Sequence, residues 1–586
     1  MKKTTWSRRD FIRTNSMAGL TAALGMGLAP SLLGSGRGSA LNQSGREPAL
    51  YFDAFTEIGP RRHKPIQQQW SLNHLLAEMQ HCSISGALVA YTQSLLYDPM
   101  FGNRELIRMI ADHPNLFPVW NVMPHQSGEF PEPEELGRLM DENRVRAVTI
   151  YPRSNSWSWQ ADHSRVLLDW LSEQKILTIV TPAELGDWSD VSEFLHRFPD
   201  LPVLLRDTVW SQQRYVLPLL ETHRNLHISF ERLQINEGVE HVYKSGYSDR
   251  ILFVSNAPTM SAGAHRTYLD YADIPDEARS QMAGGNLTRL LKGLEPPAAV
   301  DNRDEDELMA AVRRGQPVDA ALLDMHMHIL HEGLHGAGST GYRMQNGDPE
   351  GVFNLVGRLG YNGGGIMSWD GVVSANAVSG NRAVEAALDL APRGYWGLAT
   401  FDPVHYTQSQ LERMIPEQYA DRRFIGMKPY SFYGVPFHDP KYDVWWEYGN
   451  EHGLYGLIHY SRPDHSEVQN LAGRFTNARW VIAHAGGNWN HSDRIISIMN
   501  SHSNVYGEVT LTPVHLGMIE YLVEGAGADR IMYGSDLPMR DPRQQLGWVV
   551  FSRLPVEVKR QILGRNAYKM IERNLPHLPE KSRPRL

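Results

Sequence analysis

The feature that most constrains this chain's fold is that it is written twice. "LYFDAFTEIG" (50–59) aligns with "ALLDMHMHIL" (321–330), with Asp53 over Asp324. "HLLAEMQHCSISGALVAY" (74–91) aligns with "GVFNLVGRLGYNGGGIMS" (351–368), and both read as a helix, a turn and an apolar strand. The pairing continues through "VRAVTIYP" (145–152) with "FIGMKPYS" (424–431) and "ILTIVTP" (176–182) with "LYGLIHY" (454–460). It closes with "RFPDLPVLLRD" (197–207) on "RFTNARWVIAH" (474–484), "SDRILFVSNAP" (248–258) on "ADRIMYGSDLP" (528–538), and "AGGNLTRLL" (283–291) on "LGRNAYKMI" (563–571). The offset stays between 271 and 280 throughout, a register that independent drift would not keep.

Each half alternates short, continuously apolar strands with longer helical stretches. Strands of that kind have both faces buried, as in a parallel sheet. A β/α alternation of about 250 residues is the size of one eight-stranded barrel. The rival, an open doubly wound sheet, usually carries a glycine-rich loop after its first strand. Here the first strand of the second half ends instead in Asp324-Met325-His326-Met327-His328. The expected fold is therefore α/β: two tandem (β/α)8 TIM barrels, at 46–291 and 321–580. The proline-rich, then charged span 292–320 serves as linker with one helix.

The first forty residues read differently. A basic head, then a moderately apolar stretch from about Met17 to Leu33, then Gly38-Ser39-Ala40, has the layout of an export signal. Ser7-Arg8-Arg9-Asp10-Phe11-Ile12 resembles the twin-arginine signature, so residues 1–40 are expected to direct export and the mature chain to work in the periplasm or outside the cell. The single cysteine, Cys82, excludes an intrachain disulfide and a thiolate cluster. A net charge of −9 without clustered Lys and Arg argues against a nucleic-acid surface. No apolar run has the roughly 18 residues of a membrane span. The expected partner is a small molecule, and a homo-oligomer is left open.

In a parallel barrel the site lies where strands end at their C-terminal side. In the second half, five apolar strands stop at six side chains that bind metals or move protons: the His326–His328 pair, Lys428, His459, His484 and Asp536. His326 and His328 are two apart in extended chain, so both face the same way and can meet one ion. Trp369 and Asp370 follow the second strand, Asp402 and His405 the third, Tyr430 follows Lys428 and Arg540 follows Asp536, and each either shapes a pocket or packs the rim. His331, His335 and His438 fall in loops and read as solvated.

These motifs together resemble the metal-dependent amidohydrolase superfamily. They resemble in particular its amidohydrolase-related branch, which holds aminocarboxymuconate-semialdehyde, resorcylate and vanillate decarboxylases beside hydrolases. "DMHMHIL", "GMKPY", "LIHYS", "AHAGG", "YGSDLP" and "ILGRNAYKMI" carry the likeness, over about 260 residues in the sense of one barrel. The resemblance implies His326, His328, His459 and Asp536 as metal ligands and His484 as the acid/base, with Asp536 also taking a proton. Imidazoles with a carboxylate suit Zn²⁺, with Mn²⁺ as the alternative. Lys428 would bind a substrate carboxylate around one metal, or be carboxylated and bridge two. Lys428, Tyr430, Trp369 and Arg540 make up the expected substrate-binding set. The activity expected is hydrolysis of a small amide, ester or lactone by a metal-activated water. Decarboxylation is the alternative, and a non-catalytic scaffold the third reading.

The first half has lost these residues. Opposite His326, His328, Lys428, His459, His484 and Asp536 stand Phe55, Glu57, Thr149, Thr181, Asp207 and Asn256. A carboxylate pair without imidazole is a poor zinc site. The first barrel is expected to be degenerate, keeping its core and serving to pack against the second or cover its mouth.

Overall fold

The computed structural model describes residues 46–61, 70–300, 302, 304–332, 343–459, 466–510 and 513–586. The export-signal reading and His335 lie outside these residues. The first sheet runs through seven parallel strands in chain order: β1 (Tyr51–Ile58), β2 (Ile84–Tyr91), β3 (Leu116–Asn121), β4 (Ala147–Thr149), β5 (Leu177–Val180), β6 (Val203–Leu205) and β7 (Leu226–Ile228). An eighth position closes the ring, because Ile251 bridges Ile228 and the Ala54 N–H donates to the Phe253 carbonyl at 2.8 Å. The second sheet has eight parallel strands: β8 (Leu323–Ile329), β9 (Gly363–Ser368), β10 (Tyr395–Ala399), β11 (Phe424–Met427), β12 (Tyr455–Ile458), β13 (Arg479–Ile482), β14 (Val505–Val509) and β15 (Ile531–Tyr533). Met327 bridges Leu537 and closes this ring in turn. The chain is thus two tandem parallel barrels, and the helix Glu307–Arg313 lies in the stretch between them.

The duplication extends to single hydrogen bonds. Asp53 Oδ1 accepts from the Phe55 and Ser255 N–H groups, and Asp324 Oδ1 accepts from those of His326 and Ser535. Each aspartate ties the first strand to the chain beyond the eighth. Asn286 Nδ2 donates to the carbonyls of Ser248 and Ile251, and Asn566 Nδ2 to those of Ala528 and Ile531. Asp207 and His484 share the left-handed conformation, at φ 62° and 61°, and so do Asn256 and Asp536, at φ 53° and 61°. Left-handed backbone is uncommon for residues other than glycine, so its repetition at matched sites reflects one shared backbone design.

The barrels meet through the helices Ala262–Asp270 and Pro542–Val550, which follow their eighth strands. Both are buried on all sides. Two glycines allow the approach: a Cβ on Gly263 would come 2.1 Å from Phe551, and one on Gly547 2.2 Å from the Thr267 hydroxyl. Arg543 crosses the junction to Glu240 at 2.6 Å and pairs with Asp541. All three are buried, so each charge relies on the others rather than on water.

Candidate metal centre

The first and eighth strands of the second barrel bring the site together. The Asp536 N–H donates to the His326 carbonyl at 2.7 Å, and the His328 N–H to the Leu537 carbonyl at 2.6 Å. His326, His328 and Asp536 thereby share one rim. Asp536 Oδ1 lies 3.6 Å from His326 Nε2 and 3.4 Å from His328 Nε2. Donor atoms about 2.0–2.2 Å from one four-coordinate ion stand about 3.3–3.6 Å apart, so these separations fit a shared divalent metal. Burial, opposed by the Asp536 charge, holds His326 and His328 below the ordinary histidine range, and they stand as neutral donors. Burial alone would raise Asp536, but Arg540 and His326 outweigh it and keep the carboxyl well below its ordinary value.

Partners behind the ligands fix their orientation. Glu508, at the end of β14, places Oε2 3.0 Å from His326 Nδ1. An accepting oxygen there holds the proton on Nδ1 and turns the Nε2 lone pair toward the ion site, while burial and the nearby Asp324 and Asp536 raise the Glu508 carboxyl well above its ordinary value. Arg540 pairs with Asp536 Oδ2 at 2.5 Å, which leaves Oδ1 for the site. Glu508 was not among the residues read from sequence. The available signal was only an acidic residue at matched positions of the two halves, Glu231 in "HISFE" and Glu508 in "VYGEV".

His484 sits at the end of β13 with Nδ1 2.8 Å from the Thr510 carbonyl. A carbonyl only accepts, so Nδ1 carries the proton and Nε2 keeps its lone pair. That Nε2 lies 3.3 Å from His459 Nδ1. His459 follows β12 beside His484 and lies against Tyr430, the rings tilted with centroids 4.8 Å apart. It stands outside the close His326–His328–Asp536 group. Lys428 is fully buried, with Nζ 3.4 Å from His326 Nε2, and burial lowers it to about 8. It lies among the ligands and does not line the pocket.

The pocket above these residues holds about 400 Å³. Trp369, Tyr430 and Phe432 give it aromatic walls, and His491, Asn488 and Arg540 add polar groups. The His328 ring meets Trp369 edge-on at 5.0 Å. Asp402 and His405 face each other instead, at 2.7 Å, with Asp402 also capping the turn through Val404 and His405, and neither lines the pocket. His331 faces Asp370 at 3.4 Å, and His438 lies 4.0 Å from Glu467.

The matching rim of the first barrel is closed by its own cation. The Arg206 guanidinium lies 3.9 Å over the Phe55 ring and donates to Asn256 Oδ1 at 3.2 Å. Glu57 pairs with Arg61, and Asp207 with Arg232. The two carboxylates are thus each engaged by an arginine.

Fold and site together define a tandem parallel-barrel protein whose second barrel carries a buried His326–His328–Asp536 group that could hold a metal ion. The family model described as amidohydrolase matches residues 95–293 and 323–573, well over half the chain, and the protein belongs to that family, whose members are metal-dependent. No curated protein matches the chain. Among solved structures, it is similar to 5-carboxyvanillate decarboxylase from Sphingomonas paucimobilis at 12% identity, covering 42% of this chain and 99% of that one, with a TM-score of 0.34. A dihydroxybenzoic acid decarboxylase from Polaromonas sp. JS666, with bound manganese and 2-nitroresorcinol, matches at 15% identity, 44% and 98% coverage and a TM-score of 0.34. Amidohydrolase 2 from Bifidobacterium longum subsp. infantis matches at 15% identity, 43% and 99% coverage and a TM-score of 0.33.

Proposed function

We propose that the chain is a metal-dependent hydrolase of a small amide, ester or lactone, with its chemistry in the second barrel alone. The observation that carries this is the buried His326–His328–Asp536 group beneath a pocket into which His484 is also set. His326 Nε2, His328 Nε2 and Asp536 Oδ1 would hold the ion, with His459 completing the set from β12. Zinc suits this imidazole-rich donor set, and manganese is the alternative. The bound metal would supply Lewis-acid polarisation of the substrate and a lowered pKa for water. His484, fixed as the N–H donor through Nδ1 to Thr510, offers an Nε2 lone pair that would first take up a proton and from there steady a developing oxyanion or protonate the leaving group. Asp536 takes the proton of the attacking water, and Arg540 holds that carboxylate in place. Trp369 and Tyr430 would enclose the substrate and exclude water.

One observation favours a second reading. Aromatic walls with Arg540 at their base suit a planar carboxylate, and such a substrate would instead lose CO₂ as the site protonates the carbon left behind. Lys428 would then act on the carboxylate side, provided the substrate reaches past His326.

Metal content by mass spectrometry on the full chain tests the centre. About one zinc or manganese per chain, lost in His326→Ala, is the expected result; no metal after reconstitution would remove the enzyme reading. Two ions per chain would point to a carboxylated Lys428. Turnover of ester, lactone and aromatic carboxylate panels, followed by acid release against CO₂ release, separates hydrolysis from decarboxylation. The sequence of residues 1–40 supports export to the periplasm or beyond, and amino-terminal sequencing of the mature protein checks it.

A further inference from the structure

The first barrel reaches both of the second barrel's ligand loops through the short segment Leu233–Glu237, which follows β7. The chain that leaves the His326–His328 strand returns at Gly347, where the Leu330 N–H donates to the Gly347 carbonyl at 2.7 Å. Gly347 lies between this strand and the Asp536 loop: a Cβ there would come 2.6 Å from Leu330 and 2.7 Å from Pro538. Two residues earlier, Gln345 Nε2 donates to the carbonyls of Asn236 and Glu237 at 2.7 and 3.1 Å. Asn236 Nδ2 returns a bond to the Gln345 carbonyl at 2.9 Å. Both amide side chains are buried. The Glu237 carboxylate accepts from Asn346 and from Arg358.

The same five residues hold the chain beyond Asp536. The Asp541 N–H donates to the Gln234 carbonyl at 3.2 Å, and the Glu237 N–H donates to Asp541 Oδ2 at 2.8 Å. Trp210, from the loop after β6, lies 5.9 Å from the guanidinium carbon of Arg540, the residue paired with Asp536. Glu237 is itself left-handed, at φ 49°, a conformation that its bonds to Gln345, Asn346, Arg358 and Asp541 hold in place.

We propose that Leu233–Glu237 of the first barrel is a clamp that sets the spacing of the metal ligands in the second, with Asn236 and Glu237 as positioning residues. Asn236 acts through Gln345 and the Glu237 carboxylate through Asn346, both on the His326–His328 side, while the Glu237 N–H holds Asp541 on the Asp536 side. This rests on the metal-centre reading above. It gives the first barrel a role in the chemistry that needs no site of its own. Metal ligation is sensitive to such support: partners directly behind ligands change affinity about 10- to 100-fold, and a clamp one step further out should act below that range, by about three- to tenfold.

The test is the affinity of the full chain for Zn²⁺ and for Mn²⁺, by competition with a chromogenic chelator, in wild type, Asn236→Ala and Glu237→Ala. Arg553→Ala is the comparison, because Arg553 makes a 2.8 Å cross-barrel ion pair with Glu78 away from both ligand loops. The clamp predicts an affinity loss of about three- to tenfold in the two clamp variants and none in Arg553→Ala. Thermal melting of the metal-free chains is read alongside, and Glu237→Gln replaces Glu237→Ala should that variant not fold. Wild-type affinity in both clamp variants, or equal loss in Arg553→Ala, overturns the proposal. A wild-type chain that binds neither ion defeats the metal-centre reading instead, and is recognised by that.

Discussion

The two barrels share a skeleton and differ at their rims. Asp53 and Asp324 make the same two backbone bonds, and burial raises each to about 7. Asn286 and Asn566 tie the same pairs of carbonyls. Yet where His326, His328 and Asp536 converge in one barrel, Phe55, Glu57 and Asn256 stand in the other, and Arg206 lies across Phe55 and Asn256. One rim gathers neutral imidazoles and a carboxylate, a donor set that calls for a cation. The other supplies its own cation on a side chain. The difference teaches that the barrel's stability resides in buried polar struts beneath the rim, so the rim could lose its donors without loss of the fold.

The largest effect should come from testing the rims directly. His326→Ala is expected to bring turnover of any identified substrate to background and to remove the bound metal. Phe55→Ala, at the matched position, should leave both unchanged. Parallel turnover and metal analysis check this, and a loss of metal in Phe55→Ala would show that the first rim also binds an ion.

Much of this contrast was legible in the sequence, because the strands are continuously apolar and a polar residue marks each end. "RWVIAH" and "VLLRD" show both the strand and the exchange of His484 for Asp207. Three features were not legible. Arg206 stands opposite Ala483, so no missing ligand drew attention to it. Glu508 follows a glycine and a tyrosine in a strand whose pattern is less uniformly apolar. The clamp joins Asn236 to Gln345, residues 109 apart in sequence, and only the docking of the barrels brings them together. Lys428 illustrates a further limit: its motif marks a strand end, but its full burial beside His326 depends on the packing around it.

The junction comes next in size. Burial alone would raise Glu240, but Arg543 more than offsets it and lowers the carboxyl from 4.5 to about 2. A depressed carboxylate contributes stability above its unfolded pKa and loses it as pH falls through the folded one. Stability should therefore decline between about pH 4.5 and pH 2, by about 3 kcal/mol for this group. Denaturant melts across that window, in wild type and Glu240→Gln, give the measurement. The variant should be less stable at neutral pH and show a shallower acid slope; parallel slopes would remove Glu240 from the account.

Arg206→Met tests whether the internal cation supports the first rim. Burial raises Glu231, and Arg206 is the principal charge opposing that rise. Without it a buried carboxyl and Asn256 lose their partner, at a cost of about 1–3 kcal/mol. Thermal melting should register the loss, while the metal affinity of the second barrel stays as in wild type. An unchanged melting point would mean that Phe55 packing alone maintains the rim.

The smallest effect separates the barrels most sharply, because it changes the same atom type at matched positions. Glu231 Oε1 accepts from the Asp207 N–H, and Glu508 Oε2 lies 3.4 Å from the His484 N–H. Both carboxylates thus support the residue at the end of the sixth strand. Only Glu508 also reaches an imidazole, His326 Nδ1. Glu508→Gln keeps the shape and weakens the hold on that ring, so metal affinity should fall about tenfold, about 1.4 kcal/mol. Glu231→Gln makes the identical replacement where no ligand stands in front of it, and should leave metal affinity untouched. Chelator competition on the two variants gives the answer. Equal losses would mean that the carboxylates act on the backbone common to both barrels, and the loss confined to Glu508→Gln would mean that the imidazole in front of it is what distinguishes them.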